Sequence, residues 1–234
     1  MITKNDTEIL REILPRIDYT PALNPYSTRA DVEKACEEAV RYGFNSVVTY
    51  PHWTKLAAEL LKGTGVQIQA PIGFPHGGNT IECKVFETRN AIENGATEID
   101  MVINFARVLD GDYDYLYEEV SRVAACAREY GVSVKAILEV GYLNDEQKRK
   151  AAQTAVRAGA AFVKTCTGFG PGNGTVHDTQ LLMEAVGDRA KVKVTGGVAS
   201  LEDQWAFIQN GAERVAGREN ILKQLQEIGV EQKP

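Results

Sequence analysis

Ala158-Gly159-Ala160-Ala161-Phe162-Val163-Lys164-Thr165-Cys166-Thr167-Gly168 holds one whole unit of this chain's repeating plan. Gly159, just past the last helical turn, stops the preceding helix, and a short apolar run with a lysine near its end then opens into Gly168. Val192-Lys193-Val194-Thr195-Gly196-Gly197 repeats the pattern one unit later. Each lysine therefore closes a buried strand and points its ammonium inward, where an unpaired charge is costly. Two such groups on neighbouring strands repel. Repulsion and desolvation both lower an amine pKa toward the range in which lysine attacks a carbonyl.

Outward from that unit, short β-branched runs alternate with segments of helical period from about residue 13 to the C-terminus, in eight units. Strands are predicted near 14–19, 45–50, 66–71, 98–103, 132–140, 161–166, 192–195 and 214–216. Helices are predicted near 28–42, 53–61, 80–94, 113–130, 145–158, 176–186, 201–210 and 218–228. Tyr42-Gly43, Asn94-Gly95, Tyr130-Gly131 and Asn210-Gly211 are further helix stops, and Ser27 or Thr28, Asn144 and Ser200 are placed as caps. Continuous apolar strands joined by helices describe a parallel sheet covered on its outer face, and eight repeats favour closure into a TIM (β/α)8 barrel. One α/β domain over 1–234 is expected, with 1–12 a short N-terminal helical extension. The rival is an open doubly wound sheet, but its G-x-G-x-x-G after the first strand is absent. Gly168-Phe169-Gly170-Pro171-Gly172 follows the sixth strand and has a proline where a helix would begin to wind, so it reads as a loop.

Composition excludes several classes. A net charge of −6 with scattered Lys and Arg argues against a nucleic-acid surface, which needs clustered basic residues. No run approaches the roughly eighteen apolar residues of a membrane span. Met1-Ile2-Thr3-Lys4-Asn5-Asp6 lacks a basic region followed by an apolar core, so a cytoplasmic protein without membrane partners is expected. Cys36, Cys83, Cys126 and Cys166 form no C-x-x-C pair, and His52, His76 and His177 stand at no ligand spacing. Neither a metal site nor a disulfide framework is expected.

In a (β/α)8 barrel, groups at the C-terminal strand ends surround one mouth. With Asp100 inward, the fourth strand, Glu98-Ile99-Asp100-Met101-Val102, sets a carboxylate across that mouth from Lys164 and Lys193. Alternation then turns Val163 and Thr165 toward the helices. A lysine aldolase needs a neutral amine to form an imine, a carboxylate to move protons, and a dry cavity. Either lysine alone could simply lay its stem on apolar surface and reach water. Two of them with an aspartate in an equivalent position favour chemistry. The pattern leaves open which lysine attacks; with Lys164 in that role, Lys193 stays charged, lowers the Lys164 pKa through space and helps keep Asp100 ionised. Asp18 and Thr20 share a strand face, and Thr20 is expected to line the cavity. Lys135 and Glu139 share another, where an internal ion pair in a supporting role is expected. Lys84 and Glu87 read as a surface pair on a helix, and His76 as a loop histidine bonded to backbone.

Longer stretches resemble the deoxyribose-phosphate aldolases, class I enzymes on the TIM barrel. They are Ile17-Asp18-Tyr19-Thr20, Gly73-Phe74-Pro75-His76-Gly77, Gly95-Ala96-Thr97-Glu98-Ile99-Asp100-Met101-Val102-Ile103-Asn104, and Lys135-Ala136-Ile137-Leu138-Glu139. Val163-Lys164-Thr165-Cys166-Thr167-Gly168-Phe169 and Lys193-Val194-Thr195-Gly196-Gly197-Val198 continue the match, which runs over nearly the whole chain. The resemblance implies Lys164 as Schiff-base nucleophile, Lys193 as the lysine that tunes it, and Asp100 as a proton relay through a water. It implies reversible cleavage of 2-deoxy-D-ribose 5-phosphate to acetaldehyde and D-glyceraldehyde 3-phosphate. The implied partners are small aldehydes and sugar phosphates, with no metal or organic cofactor and often a homodimer.

Thr165 and Gly168, in the matching strand-six stretch, are set at the substrate. Gly196, Gly197 and Gly217 could form a phosphate nest, and Arg218 could hold the phosphate with paired hydrogen bonds. Three departures stand out. Tyr19 with Thr20-Pro21-Ala22-Leu23 replaces a histidine and a shorter element, which reshapes the wall beside the substrate, and Cys166 stands where serine is usual. The last loop reads Val215-Ala216-Gly217-Arg218-Glu219-Asn220, and Gly197-Val198-Ala199-Ser200 lacks the basic residue often found after the paired glycines. Alternatives are an imine aldolase for an unphosphorylated or different deoxy sugar, and a sugar-phosphate-binding barrel without catalysis.

Overall fold

Eight short parallel strands pair in chain order, and the last pairs back to the first, so the sheet closes into a barrel. The computed structural model describes residues 1–233. The strands are β1 (Ile17–Tyr19), β2 (Ser46–Val48), β3 (Gln67–Ile72), β4 (Glu98–Val102), β5 (Ser133–Ile137), β6 (Phe162–Lys164), β7 (Lys191–Val194) and β8 (Arg214–Gly217). Helices α1 (Thr7–Ile13), α2 (Arg29–Tyr42), α3 (Thr54–Leu60), α4 (Ile81–Glu93) and α5 (Phe105–Leu109) come from the first half. The second half adds α6 (Tyr113–Arg128), α7 (Asp145–Arg157), α8 (Val176–Val186), α9 (Leu201–Gln209) and α10 (Glu219–Glu227). This is the (β/α)8 architecture that the repeat predicts. No helix of the described residues is long and apolar enough to cross a membrane.

Local chemistry fixes the boundaries. Thr28 and Asp31 form a reciprocal capping box at the start of α2, as do Asn144 with Gln147 for α7 and Thr175 with Asp178 for α8. Gly43 ends α2 at φ 68°, a left-handed conformation that a side chain resists. Outward-facing strand residues such as Val47, Ile99, Met101, Val163 and Val192 are buried against the helices, which makes the shell between barrel and helices the apolar core. The barrel interior holds a cluster of polar side chains beside apolar ones such as Val48, Val102 and Ile137.

Several boundaries differ from expectation. Residues Leu14–Arg16 form a 3-10 turn rather than the start of β1, because Pro15 has no N–H to give to a ladder. Strand β5 stops at Ile137, since Glu139 turns left-handed at φ 53°. Helix α5 is a single short turn capped by Asn104 and carries no periodic pattern to reveal it.

Lys84 is the clearest correction. It is not a surface partner of Glu87 but wholly buried, on the face of α4 that also buries Ile81, Thr88 and Ala91. Its ammonium donates to the carbonyls of Gly77 (2.7 Å) and Val102 (2.8 Å) and to Glu119 of α6. Glu87 instead accepts from the Gly73 N–H at 2.7 Å. One buried ion pair thus fastens the loop after β3, the end of β4 and α6 together. Burial pushes the Lys84 pKa down and the Glu119 pKa up, against their mutual attraction. Lys84→Met alone leaves Glu119 as an unpaired buried charge and is expected to cost about 3–5 kcal/mol, whereas Lys84→Met with Glu119→Leu recovers most of that. Urea unfolding of the single and double variants checks it: equal losses in both would contradict the pairing.

Candidate active site

Side chains alternate along each strand, so one parity of β1, β3, β4, β5, β6 and β7 faces the barrel axis. That parity carries Asp18, Gln69, Asp100, Lys135, Lys164 and Lys193, none more than 2% exposed. Six polar side chains packed in a dry interior must satisfy one another. Lys164 donates to Asp100 Oδ2 at 2.8 Å, and Lys193 donates to the same oxygen at 2.9 Å. Lys135 lies 3.4 Å from the other oxygen, Oδ1, and 2.6 Å from Glu98. Asp100 is therefore shared by three lysines.

Lys193 has further partners. Asp18 Oδ2 is 2.6 Å from its nitrogen and Gln69 Oε1 accepts at 2.7 Å. Behind them, Ser46 and Asn45 each donate to Asp18 Oδ1 at 2.8 Å. The two lysines, adjacent in register, thus sit in unlike surroundings. Burial pushes the Lys164 pKa down to about 8; Asp100 opposes the fall and the Lys193 charge adds to it. Burial also opposes the charge on Lys193, but Asp100 and Asp18 outweigh it and its pKa is raised. Asp100 is held well below the usual carboxylate range: burial works against its charge, and Lys164, Lys193 and Lys135 overcome it. Asp18 is lowered to about 2 in the same way, with burial overcome by Lys193 and Lys135. The arrangement can offer a near-neutral amine, a fixed ammonium and an ionised carboxylate within hydrogen-bonding reach of one another.

A cleft of about 350 Å³ opens at the ends of β7 and β8, lined by Gly168, Asn173, Gly196, Gly197, Arg218 and their neighbours. Gly196 and Gly197 are left-handed at φ 79° and 70°, and a Cβ on Gly197 would lie 2.6 Å from the Gly174 carbonyl. Only glycine lets the loops after β6 and β7 approach this closely. Arg218 is exposed and reaches back over the cleft, its Nη2 3.3 Å from where a Cβ on Gly168 would stand. Among the described residues it has no ion-pair partner.

Aromatic side chains join three loops at the C-terminal strand ends. Phe74, after β3, and Phe169, after β6, meet edge to face with centroids 5.3 Å apart, and Tyr50 meets Phe74 at 6.0 Å. Strands β3 and β6 are not neighbours in the closed ring, so this contact spans the mouth.

The structure brings Lys164, Lys193 and Asp100 together and sets Gly168, Gly196, Gly197 and Arg218 around one cleft. It does not bring Thr20, Thr165 or Gly217 to that cleft. Thr20 donates its hydroxyl to the Gly217 carbonyl at 3.0 Å, and Thr165 donates to the Thr195 carbonyl at 2.9 Å. Gly217 lies within β8, where a Cβ would come 2.6 Å from Ile17. All three join strands instead of presenting free donors.

Lys135 does not pair with Glu139, because β5 ends between them. Glu139 accepts from the Thr167 N–H at 3.1 Å and from its hydroxyl. Tyr19 faces the helices, bonded to Glu38 at 2.8 Å and packed on Phe44. Cys166 is buried, with its thiol pushed up to about 12 by burial. His76 is exposed and, among the described residues, its side chain makes no hydrogen bond. Sequence reasoning missed Asp18 and Gln69 as partners of Lys193. The available signal was their inward parity in otherwise apolar strands.

Comparisons with known proteins bear on this geometry. Residues 13–222 match the model of the DeoC/LacD family aldolases. The chain is 47% identical over 210 residues to a deoxyribose-phosphate aldolase of Thermoanaerobacter sp. (strain X514), covering 89% of this chain and 94% of that one. It is 46% identical over 206 residues to one of Thermococcus gammatolerans, covering 87% and 91% respectively. Among solved structures, a tetrameric deoxyribose phosphate aldolase from Aeropyrum pernix superposes with a TM-score of 0.85 at 31% identity, covering 94% of this chain and 93% of that one. With its family model, its relatives and its lysine-lined barrel in agreement, the chain belongs to the DeoC/LacD aldolase family.

Proposed function

We propose that the protein is a class I aldolase that cleaves 2-deoxy-D-ribose 5-phosphate reversibly to acetaldehyde and D-glyceraldehyde 3-phosphate, with Lys164 as the nucleophile. The observation that carries this reading is the unequal pair of lysines on one carboxylate: the amine of Lys164 shares Asp100 and has its pKa lowered to about 8, while Lys193 is held charged. The names of the relatives supply the substrate.

In this proposal the Lys164 lone pair attacks C1 of the open-chain sugar, and the carbonyl oxygen takes a proton relayed from the Asp100 side through a water. Loss of water gives the iminium. The C3 hydroxyl then gives up its proton, the C2–C3 bond breaks, and its electron pair flows into the iminium to leave an enamine and release D-glyceraldehyde 3-phosphate. Protonation at C2 and addition of water release acetaldehyde and restore the amine. Asp100 suits the relay because three lysines hold it ionised yet one of them, Lys164, exchanges its proton near neutral pH. Burial of the site keeps bulk water from the imine. The phosphate would sit in the glycine-walled cleft, with Gly168, Gly196 and Gly197 allowing close backbone approach and Arg218 donating paired hydrogen bonds.

Acetaldehyde with borohydride is expected to leave a reduced two-carbon adduct on the peptide that contains Lys164, and none in Lys164→Ala; an adduct found only elsewhere in the wild type would remove the assignment. Because attack needs the uncharged amine, kcat/KM is expected to rise with pH up to about 8 and to fall about tenfold per unit below it. A flat profile from pH 6 to 9 would contradict that state of Lys164. Arg218→Ala is expected to shrink the preference in kcat/KM for the 5-phosphate over free deoxyribose by at least about tenfold, the scale of a lost charge-assisted bond. An unchanged preference would take Arg218 out of phosphate recognition.

A further inference from the structure

Asp100 Oδ2 does not distinguish the two lysines, since it accepts from Lys164 at 2.8 Å and from Lys193 at 2.9 Å. Their inequality has to come from the other side of Lys193. Asp18 is one part of that side, at 2.6 Å, but Asp18 and Asp100 together occupy only two directions around the nitrogen. A neutral amine could satisfy both with its two N–H groups and keep its lone pair in the third direction. Gln69 Oε1 is a third oxygen around the nitrogen, accepting at 2.7 Å. An acceptor oxygen facing a lone pair is repelled, whereas an ammonium offers it a third proton.

The orientation of the Gln69 amide is itself fixed. Its Nε2 donates to Ser46 Oγ at 2.6 Å, which leaves the hydroxyl proton of Ser46 for Asp18 Oδ1 at 2.8 Å. Lys193, Gln69, Ser46 and Asp18 thus form a chain of hydrogen bonds that the ion pair between Asp18 Oδ2 and Lys193 closes, all four fully buried. Reversing the amide would set an NH2 against the ammonium and break two bonds. Lys164, by contrast, has Asp100 as its one hydrogen-bond acceptor among the described residues.

We propose that Gln69 is a positioning residue that decides which lysine becomes the nucleophile: as the third acceptor around Lys193 it closes the direction a lone pair would need, and it leaves the aldehyde to Lys164. The inference rests on the imine reading above and deepens it. The charged groups around this circuit are Asp18 on β1, Glu98 and Asp100 on β4, Lys135 on β5, Lys164 on β6, and Arg214 beside Lys193 on β8, held by Glu213.

Borohydride trapping with acetaldehyde tests it, read by mass spectrometry across pH 6 to 9 and combined with the pH profile of kcat/KM. Wild type is expected to carry the adduct on Lys164 alone. In Gln69→Leu the third direction opens, so a second adduct is expected on Lys193 and to grow with pH. As Lys193 gives up its charge, the repulsion that lowers the Lys164 pKa weakens, and the rising limb of the profile moves to higher pH. Gln69→Glu keeps an acceptor in place and is expected to return the adduct to Lys164 alone. Ser46→Ala frees the amide to turn and should give a smaller Lys193 fraction, and it decides the matter if Gln69→Leu does not fold. Folded Gln69→Leu or Ser46→Ala protein with adduct on Lys164 only and an unmoved limb would overturn the proposal, even if its Tm has fallen. Absence of any Lys164 adduct in wild type would instead overturn the imine reading.

Discussion

The carboxylate of Asp100 is the point on which the interior of this barrel depends. Three lysine ammonium groups converge on it, two on one oxygen and one near the other. Unit charges about 4 Å apart interact by about 4 kcal/mol at an effective dielectric of about 20, so each attraction to Asp100 is of the same order as each repulsion between lysines. Such a cluster stays folded only if its members are paired. Asp18 and Gln69 give Lys193 two more oxygen partners than Lys164 has, and of the two lysines it is Lys164 whose pKa falls, to about 8. Chemistry and folding are two readings of the same charge arrangement.

The cost of burying these groups is carried by an apolar shell outside the barrel. Val47, Ile99, Met101, Val163 and Val192 face the helices and contribute the hydrophobic term, so the interior is free to hold polar side chains. A second buried ion pair, Lys84 with Glu119, works at the periphery in a purely structural way. It ties the loop after β3 to the end of β4 and to α6, and so holds steady the rim from which Phe74 projects. Gly77 belongs to the same joint: a Cβ there would come within 2.0 Å of the Ile103 carbonyl oxygen.

Much of this was legible in the sequence because it is locally determined. Helix stops such as Gly43 and caps such as Thr28 depend on a few consecutive residues, and eight strand-helix units follow from them. Lys164, Lys193 and Asp100 were legible because strand parity alone turns them inward. The roles of Asp18 and Gln69 were not, since which inward groups touch depends on the stagger of strands around the closed barrel. Lys84 was misread for a different reason. Its helical period places it on the buried face, but a lysine is assigned to water by default unless a partner is known, and Glu119 lies on another helix. The hydroxyl partners of Thr20 and Thr165 were not legible either, because each donates to a backbone carbonyl on a neighbouring segment that is distant in sequence.

The segment after β6 serves two ends of one space. Phe169 meets Phe74 at the barrel mouth, and a few residues on, Asn173 abuts Gly196 in the cleft that Arg218 also lines. Thr167, bonded to Glu139, also accepts from the Phe169 N–H at 3.0 Å and so braces the root of both. The lining of the cleft and the aromatic contact thus belong to one piece of backbone, Gly168 to Asn173, and a shift of either carries the other with it.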